Sequence, residues 1–211
     1  MTIHPSPDSS PRPRGRPRAF DREAALDVAR RTFWKLGYEG ASICDLTEAM
    51  GITPQSLYAA FKSKADLYKE SLEQYRRTDG AYVWRTLAEE PITALAFRRV
   101  LTQAAHQYAR LDLPPGCMMS ISITTCAEEN QAVAAFVAGM RQEALARYRA
   151  RIERGIAAGD VPSGTDALAI ARYVQVTMQG MSIQARDGAS EADLLAVAEM
   201  AAAQLDTRLS A

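Results

Sequence analysis

The stretch that most limits what this chain can become runs from Ala41 to Phe61. Ser42 lies three residues before Asp45, close to the spacing of a capping box, and opens a helical period through Ile43, Leu46 and Met50. Gly51 suits the left-handed turn that ends such a helix. Thr53 offers a second N-cap, and Pro54 takes the first helical position, where its missing N–H costs nothing. Leu57 and Phe61 fall four apart on an inward face. Thr53, Gln55, Ser56, Ala59 and part of Tyr58 are left facing out. Two short helices at a tight turn, the second polar on its outer face, have the layout of a helix-turn-helix whose second helix enters the DNA major groove. An ordinary helical hairpin carries the same local signals, so the surroundings must decide.

Those surroundings are unevenly charged. The formal net charge is zero, with 25 basic and 25 acidic residues, yet Arg12, Arg14, Arg16 and Arg18 face the single acid Asp8 before residue 20. Residues 1–17 are rich in Pro, Ser and Arg, cannot bury a core, and are expected to form a disordered basic arm. Leading into the helix-turn-helix, the arm makes Arg14, Arg16 and Arg18 candidates for a phosphate backbone or a minor groove; the alternative is a solvated tail.

Three cysteines far apart show neither zinc spacing nor a disulfide framework, and two histidines leave little metal or general-base chemistry. No metal or cofactor is expected. No apolar run approaches the ~20 residues of a membrane span, and the N-terminus lacks the apolar core of a secretion signal. A cytoplasmic protein without membrane contact is expected.

The rest of the chain reads as helix. Asp21 caps a first helix ending at Gly37, with Leu26, Ala29 and Phe33 inside. Ser63 to Asp66 repeats the capping spacing and opens a fourth, to about Thr78, with Lys62 and Lys64 beside its start as a phosphate clamp. Pro91 is expected to open a helix to about Leu111. Cys117 to Cys126 is read as a short buried helix. A long helix follows from about Glu129 to Ala158, and two more span about 165–185 and 191–209. The last two are too apolar to leave both broad faces in water. An intramolecular hairpin would account for them, but joining a second copy in a four-helix bundle fits better, because one recognition helix reads only a few base pairs.

At this point the chain resembles the TetR/AcrR family of bacterial transcriptional regulators. The carrying residues are Phe33, Leu36-Gly37-Tyr38, Ser42 to Leu46, Met50 to Thr53, Ser56 to Lys64, and Leu67. The match covers about residues 18–78; beyond it, only the helix layout and the Pro115-Gly116-Cys117 break are similar. The resemblance implies an all-α protein of about nine helices. An N-terminal three-helix DNA-binding domain (18–78, helix-turn-helix about 41–61) would precede a larger ligand-binding and dimerisation domain (79–211). It further implies a homodimer through the last two helices, most often a repressor, bound to a palindromic operator and released by a small molecule in the C-terminal pocket. Ser42 would then touch phosphate. Thr53, Gln55 and Ser56, with Pro54 at the helix start, would face the groove. Tyr58, Lys62 and Lys64 would hold the backbone. The chain departs from the family's habit at Gln55, often Gly, at Ala60, often His or Tyr, and at Thr47, usually Ala. Gln55 gains a side chain suited to adenine, Ala60 is too short to reach a phosphate, and Thr47 is expected to loosen the packing of the two short helices.

Large or soft C-terminal side chains are the pocket candidates: Trp84, Phe97, Met118, Met119, Phe136, Met140, Tyr173 and Met178. Each also suits plain core. Cys117, placed after a Pro-Pro-Gly break and read as the start of a helix, is a candidate thiol sensor with Cys126 as resolving partner; a small buried residue is the plainer alternative. Three rival functions stay open. An enzyme lacks any visible catalytic cluster, and none is expected. A helical adaptor without DNA affinity is supported by Thr47 and Ala60. Activation is not separated from repression.

Overall fold

The computed structural model describes residues 21–123 and 126–210; the basic arm, with Arg14, Arg16 and Arg18, lies outside them. Among the described residues there are nine α-helices and no strand. They are α1 (Arg22–Gly40), α2 (Ile43–Met50), α3 (Pro54–Phe61), α4 (Lys64–Arg77), α5 (Ala81–Glu89), α6 (Thr93–Tyr108), α7 (Gln131–Ala158), α8 (Ala167–Arg186) and α9 (Glu191–Leu209). A 3-10 turn, Glu128–Asn130, precedes α7.

The helix ends follow local chemistry where caps exist. Asp21 accepts from the Glu23 and Ala24 amides, and α1 breaks at Gly37 (φ 74°) before its last residues. Side-chain caps also start α2, α3, α4, α8 and α9 at Ser42, Thr53, Ser63, Asp166 and Ser190. α5 and α6 have none. The sequence reading accordingly passes over α5, and the helix expected from Pro91 to Leu111 instead runs from Thr93 to Tyr108. Its start is held from a distance: the Thr93 amide donates to Asp160 at 2.6 Å.

The helix expected over 117–126 is not formed. Residues 118–121 make one turn, with the Ile121 amide donating to the Cys117 carbonyl at 3.2 Å, and residues 122, 123, 126 and 127 lie in no helix. The β-branched run favours extended backbone, and the described apolar side chains of the segment pack on the core of α1–α4. Leu113, Met118 and Ile123 join the core of α1–α4, together with Val133, Val137 and Met140 of α7. Cys117 touches both cores. The second core is built from α5 to α9, with α6 and α9 packed most closely.

The two cores meet along α4. Its Tyr75 ring stands edge-on to Trp34 of α1 at 5.0 Å, and its Tyr68 edge-on to Phe33 at 4.9 Å. Arg186, at the end of α8, donates to the Trp34 and Lys35 carbonyls. Asn130 donates to Glu39. The end of α1 is therefore tied to both α7 and α8.

Candidate nucleic-acid interface and cavity

The short helices are held by bonds between near neighbours. Ser42 and Asp45 form a full capping box: the Asp45 amide donates to Ser42 Oγ at 3.0 Å, and the Asp45 carboxylate accepts from the Ser42 amide at 2.8 Å. The Ser42 hydroxyl also donates to that carboxylate at 2.6 Å. These bonds hold the Asp45 carboxyl below its ordinary value. A phosphate at Ser42 would have to replace Asp45 as acceptor. Gly51 adopts φ 64°, a left-handed conformation a side chain would resist, and closes α2 with its amide on the Glu48 carbonyl.

Thr53 caps α3, accepting from the Ser56 amide at 3.1 Å, and its hydroxyl pairs with that of Ser56 at 3.0 Å. Thr53, Pro54, Gln55, Tyr58 and Ala59 are exposed and Ser56 is half-buried, while Leu57 and Phe61 are fully inside. The helix therefore presents the polar face expected of it. Thr47 is buried, and its hydroxyl donates to the Ile43 carbonyl at 2.8 Å, so its polar atom is satisfied within α2.

α3 ends abruptly. Lys62 takes φ 66° and ψ −52°, and the Ser63 amide reaches the Phe61 carbonyl at 2.7 Å, which closes a strained γ-turn. This leaves Lys62 exposed at the end of α3. Lys64 is placed differently. It is half-buried with its ammonium 4.5 Å from the Tyr38 ring centre, and burial lowers its pKa against the pull of Glu39 and Asp45. Arg22 is the residue that sequence reasoning missed. Its guanidinium lies over the Phe61 ring at 4.4 Å, donates to the Ala60 carbonyl at 3.3 Å, and pairs with Glu70 at 2.6 Å. It pins the end of α3 to α1 and α4. A charge one residue after an N-cap reads as solvated surface, so nothing in the sequence singles it out.

Residues 42–64 contain Lys62 and Lys64 against Asp45 and Glu48 and are formally neutral. The outer face of α3 can exchange hydrogen bonds with base edges but supplies little charge for phosphates.

The second feature is a cavity of about 60 Å³ under α4. Tyr75, Tyr82, Tyr108 and Tyr148 reach it from α4, α5, α6 and α7, and Cys117, Met119 and Ser120 from the irregular segment. Of the pocket candidates, Trp84, Met119 and Met178 line it. Phe97 is one layer behind, edge-on to Tyr148 at 6.2 Å. Met118 and Met140 are in the α1–α4 core, Phe136 packs against that core beneath Lys69, and Tyr173 faces outward on α8. None of these five lines the cavity. The four tyrosines escape a reading of the sequence because only tertiary packing gathers them.

Gly116 makes the approach of Cys117 possible. It has φ 79°, and a Cβ there would meet the Ser182 carbonyl oxygen at 2.6 Å. The Cys117 amide donates to Ser182 Oγ at 2.7 Å. Cys117 thus opens a single turn, not a helix, and the helix N-terminus expected to stabilise a thiolate there is not formed. Burial raises the pKa of Tyr148, and raises Tyr75, Tyr82 and Tyr108 well above the ordinary 10.0, so all four phenols stay protonated. Among the described residues no group of three or more His, Cys, Asp or Glu side chains is placed to hold a metal ion. No helix there is long and apolar enough to cross a membrane.

Comparison with known proteins gives these features a context. Residues 25–71 match the profile of bacterial regulatory proteins, tetR family. The HTH-type transcriptional repressor ComR of Escherichia coli (strain K12) is 33% identical over 189 residues, covering 88% of this chain and 89% of ComR. The HTH-type transcriptional repressor BdcR of the same organism is 29% identical, covering 92% of this chain and 94% of BdcR. Among solved structures, a cysteine-substituted variant of the TetR family transcriptional regulator CifR, complexed with 26-base-pair operator DNA, is 39% identical. It aligns with a TM-score of 0.86 over 90% of this chain and 98% of CifR.

Proposed function

The chain belongs to the tetR family of bacterial transcriptional regulators, and on that premise we propose that it represses transcription as a homodimer on a palindromic operator and releases it when a small molecule enters the tyrosine-lined cavity. One observation carries the reading. α4 starts beside the end of α3 and runs to the cavity, where Tyr75 is at once a lining residue and the ring packed on Trp34 of α1. A ligand that moves Tyr75 pushes on the unit that carries α3. Such coupling is worth typically ~1–3 kcal/mol, enough to move DNA affinity 5- to 150-fold.

In this reading residues 18–78 are the DNA-binding domain and 79–211 the effector and dimer domain. Gln55 and Thr53 read bases, with Pro54 and Ser56 shaping the start of the reading helix. Tyr58 and Lys62 hold the backbone. Ser42 and Lys64 contribute only if Asp45 and Tyr38 yield them. Arg14, Arg16 and Arg18 supply the charge that α2 and α3 lack. The partner is a second copy: Tyr173, Val176 and Ile183 on α8 and Val197 and Met200 on α9 are exposed apolar residues on the two helices expected to pair. Relatives named as repressors, and CifR bound to operator DNA, support the sign and the partner. The cytoplasm, where an operator is reached, is the location this function requires.

Selection of bound sequences from a random duplex pool tests the reading. An inverted repeat is expected, its half-sites about one DNA turn apart, and binding should fall steeply with salt. Recovery of no sequence by folded dimer at low salt would remove the operator and favour the adaptor alternative.

The position of Cys117 in the cavity favours a second way of triggering the same switch. An alkylating electrophile would form an S–C bond, its leaving group departing with the bonding pair and the thiol proton passing to water. With Cys44 and Cys126 replaced by serine, intact-mass analysis after a small alkylating agent should show one adduct, at Cys117, and loss of operator binding; an adduct that leaves binding unchanged removes the sensor role.

A further inference from the structure

The reading helix takes its pose from α1: α2 and α4 pack on α1, and α3 packs on both of those. α1 leaves helical geometry at Gly37, at φ 74° and ψ 173°. A break of that kind takes away the amides that carbonyls of the preceding turn would meet one turn on. Arg186 reaches two carbonyls of that turn. Its Nη1 donates to Trp34 at 3.1 Å and its Nη2 to Lys35 at 3.2 Å. The planar fork of a guanidinium suits two neighbouring acceptors, and its charge suits the negative end of a helix.

Arg186 is the last residue of α8. The same side of α8 carries Ser182 one turn earlier and Met178 two turns earlier. Ser182 accepts from the Cys117 amide at 2.7 Å and leaves no room for a Cβ at Gly116. Met178 lines the cavity, where the Tyr148 hydroxyl donates to its sulfur at 3.5 Å. α8 thus spans from the cavity to α1, while Val176 and Ile183 on another side of it are exposed. The other ties between the two cores lead elsewhere. Glu39 accepts from the Ala127 amide and from Asn130 ahead of α7, Arg30 pairs with Asp79 between α4 and α5, and Arg76 of α4 pairs with Glu143 of α7. Arg186 instead joins α1 to a helix expected to pair with its copy.

We propose that Arg186 is a positioning residue for operator binding: it fixes the pose of α1, and with it the reading helix, against α8, so that the two reading helices of a dimer stand at the spacing an inverted repeat requires. The inference rests on the dimeric operator reading given above and names a residue through which that reading is realised.

A single half-site engages one reading helix and does not sense the spacing, whereas an inverted repeat engages both. Fluorescence anisotropy of the full-length protein and of Arg186→Met, on the selected operator and on a duplex carrying one half-site, separates the two. Arg186→Met is expected to weaken operator binding about 2- to 30-fold and to leave half-site binding almost unchanged. Equal loss on both duplexes, or no loss in the folded variant, overturns the proposal. Spin labels at the exposed Cys44 and at Ala150→Cys on α7 read the pose within one chain without DNA, with Cys117 and Cys126 replaced by serine and the labelled chains diluted in unlabelled protein. Arg186→Met should broaden or displace that distance distribution; an unchanged one overturns the proposal. Should Arg186→Met not fold by circular dichroism, Arg186→Gln is read in its place. A parent protein that selects no operator removes the operator reading instead, and the distances within the chain still decide whether Arg186 holds the pose.

Discussion

The reading helix and the cavity are built by opposite means. α2 and α3 are eight residues each, too short to stand alone, and their ends are fixed by bonds between residues two or three apart: Ser42 with Asp45, Gly51 with Glu48, Thr53 with Ser56, Ser63 with Phe61. The cavity is closed by side chains from α4 to α8 that are distant in sequence. A locally specified unit keeps its internal geometry when it moves, so it can be displaced whole. A cavity assembled from distant pieces lets a ligand larger than its space push those pieces apart, which is the movement the proposed switch uses. Under the proposed switch, the region that a ligand would deform lies behind the capped pair of short helices, with α4 between.

If that contrast holds, the largest effect should come from damaging the distant assembly. Phe97, fully buried behind Tyr148, should cost about 3–5 kcal/mol of stability on replacement by Ala, measured by denaturant unfolding. A loss under about 1 kcal/mol would mean that the C-terminal core is already loose around the cavity.

The next effect concerns charge. Because residues 42–64 are neutral, removing residues 1–17 should weaken operator binding by roughly 10²-fold near physiological salt. It should also reduce the slope of log affinity against log salt by about 0.9 for each phosphate that an arginine of the arm neutralises. An unchanged slope would return the electrostatics to the helices.

Lys62 sharpens the comparison, because strain and function there have opposite signs. Lys62→Gly should stabilise the fold by about 1 kcal/mol, since glycine accepts φ 66° freely, while weakening binding across all DNA sequences. Thermal unfolding and anisotropy on the same preparation separate the two; a variant less stable than the parent would show that the γ-turn is not strained. Gln55→Ala should alter preference at one base-pair position by about 1–3 kcal/mol and leave nonspecific affinity almost unchanged, as read by repeating the selection.

The smallest effect is local. Ser42→Ala should cost about 1 kcal/mol. The Asp45 carboxyl is lowered by the same bonds, so its contribution is complete above the ordinary value of 3.8 and fades as pH falls through the folded-state value below that. The parent should accordingly lose more stability than Ser42→Ala on going from neutral pH to below 3.8. Parallel pH profiles would show that the capping box adds nothing.

This division also explains what can be read from the chain alone. Ser42, Gly51, Thr53 and Pro54 carry their structure in neighbouring residues, so α2 and α3 are legible, as are the capped ends of α1, α4 and α9. α5 is not, because it starts at Gly80 without a side-chain cap. The run from Cys117 reads wrongly as helix because an apolar stretch shows that its side chains are buried, not which backbone buries them. Five of the eight pocket candidates miss the cavity for the same reason: size and softness mark a buried side chain but not the space it borders. Tyr75, Tyr82, Tyr108 and Tyr148 carry no shared spacing, and Arg22 announces its hold on α3 only once α1 is folded against it.

The central claim is that filling the cavity moves the reading helices. Cys44 is exposed on α2 and offers a native attachment point for a spin label once Cys117 and Cys126 are replaced by serine. The measurement is the label-to-label distance across the dimer, with Ala144 intact and with Ala144→Phe filling the cavity. The account predicts a distinct or displaced distance distribution in the filled form, together with weaker operator binding. An identical distribution in a folded, cavity-filled dimer would contradict it.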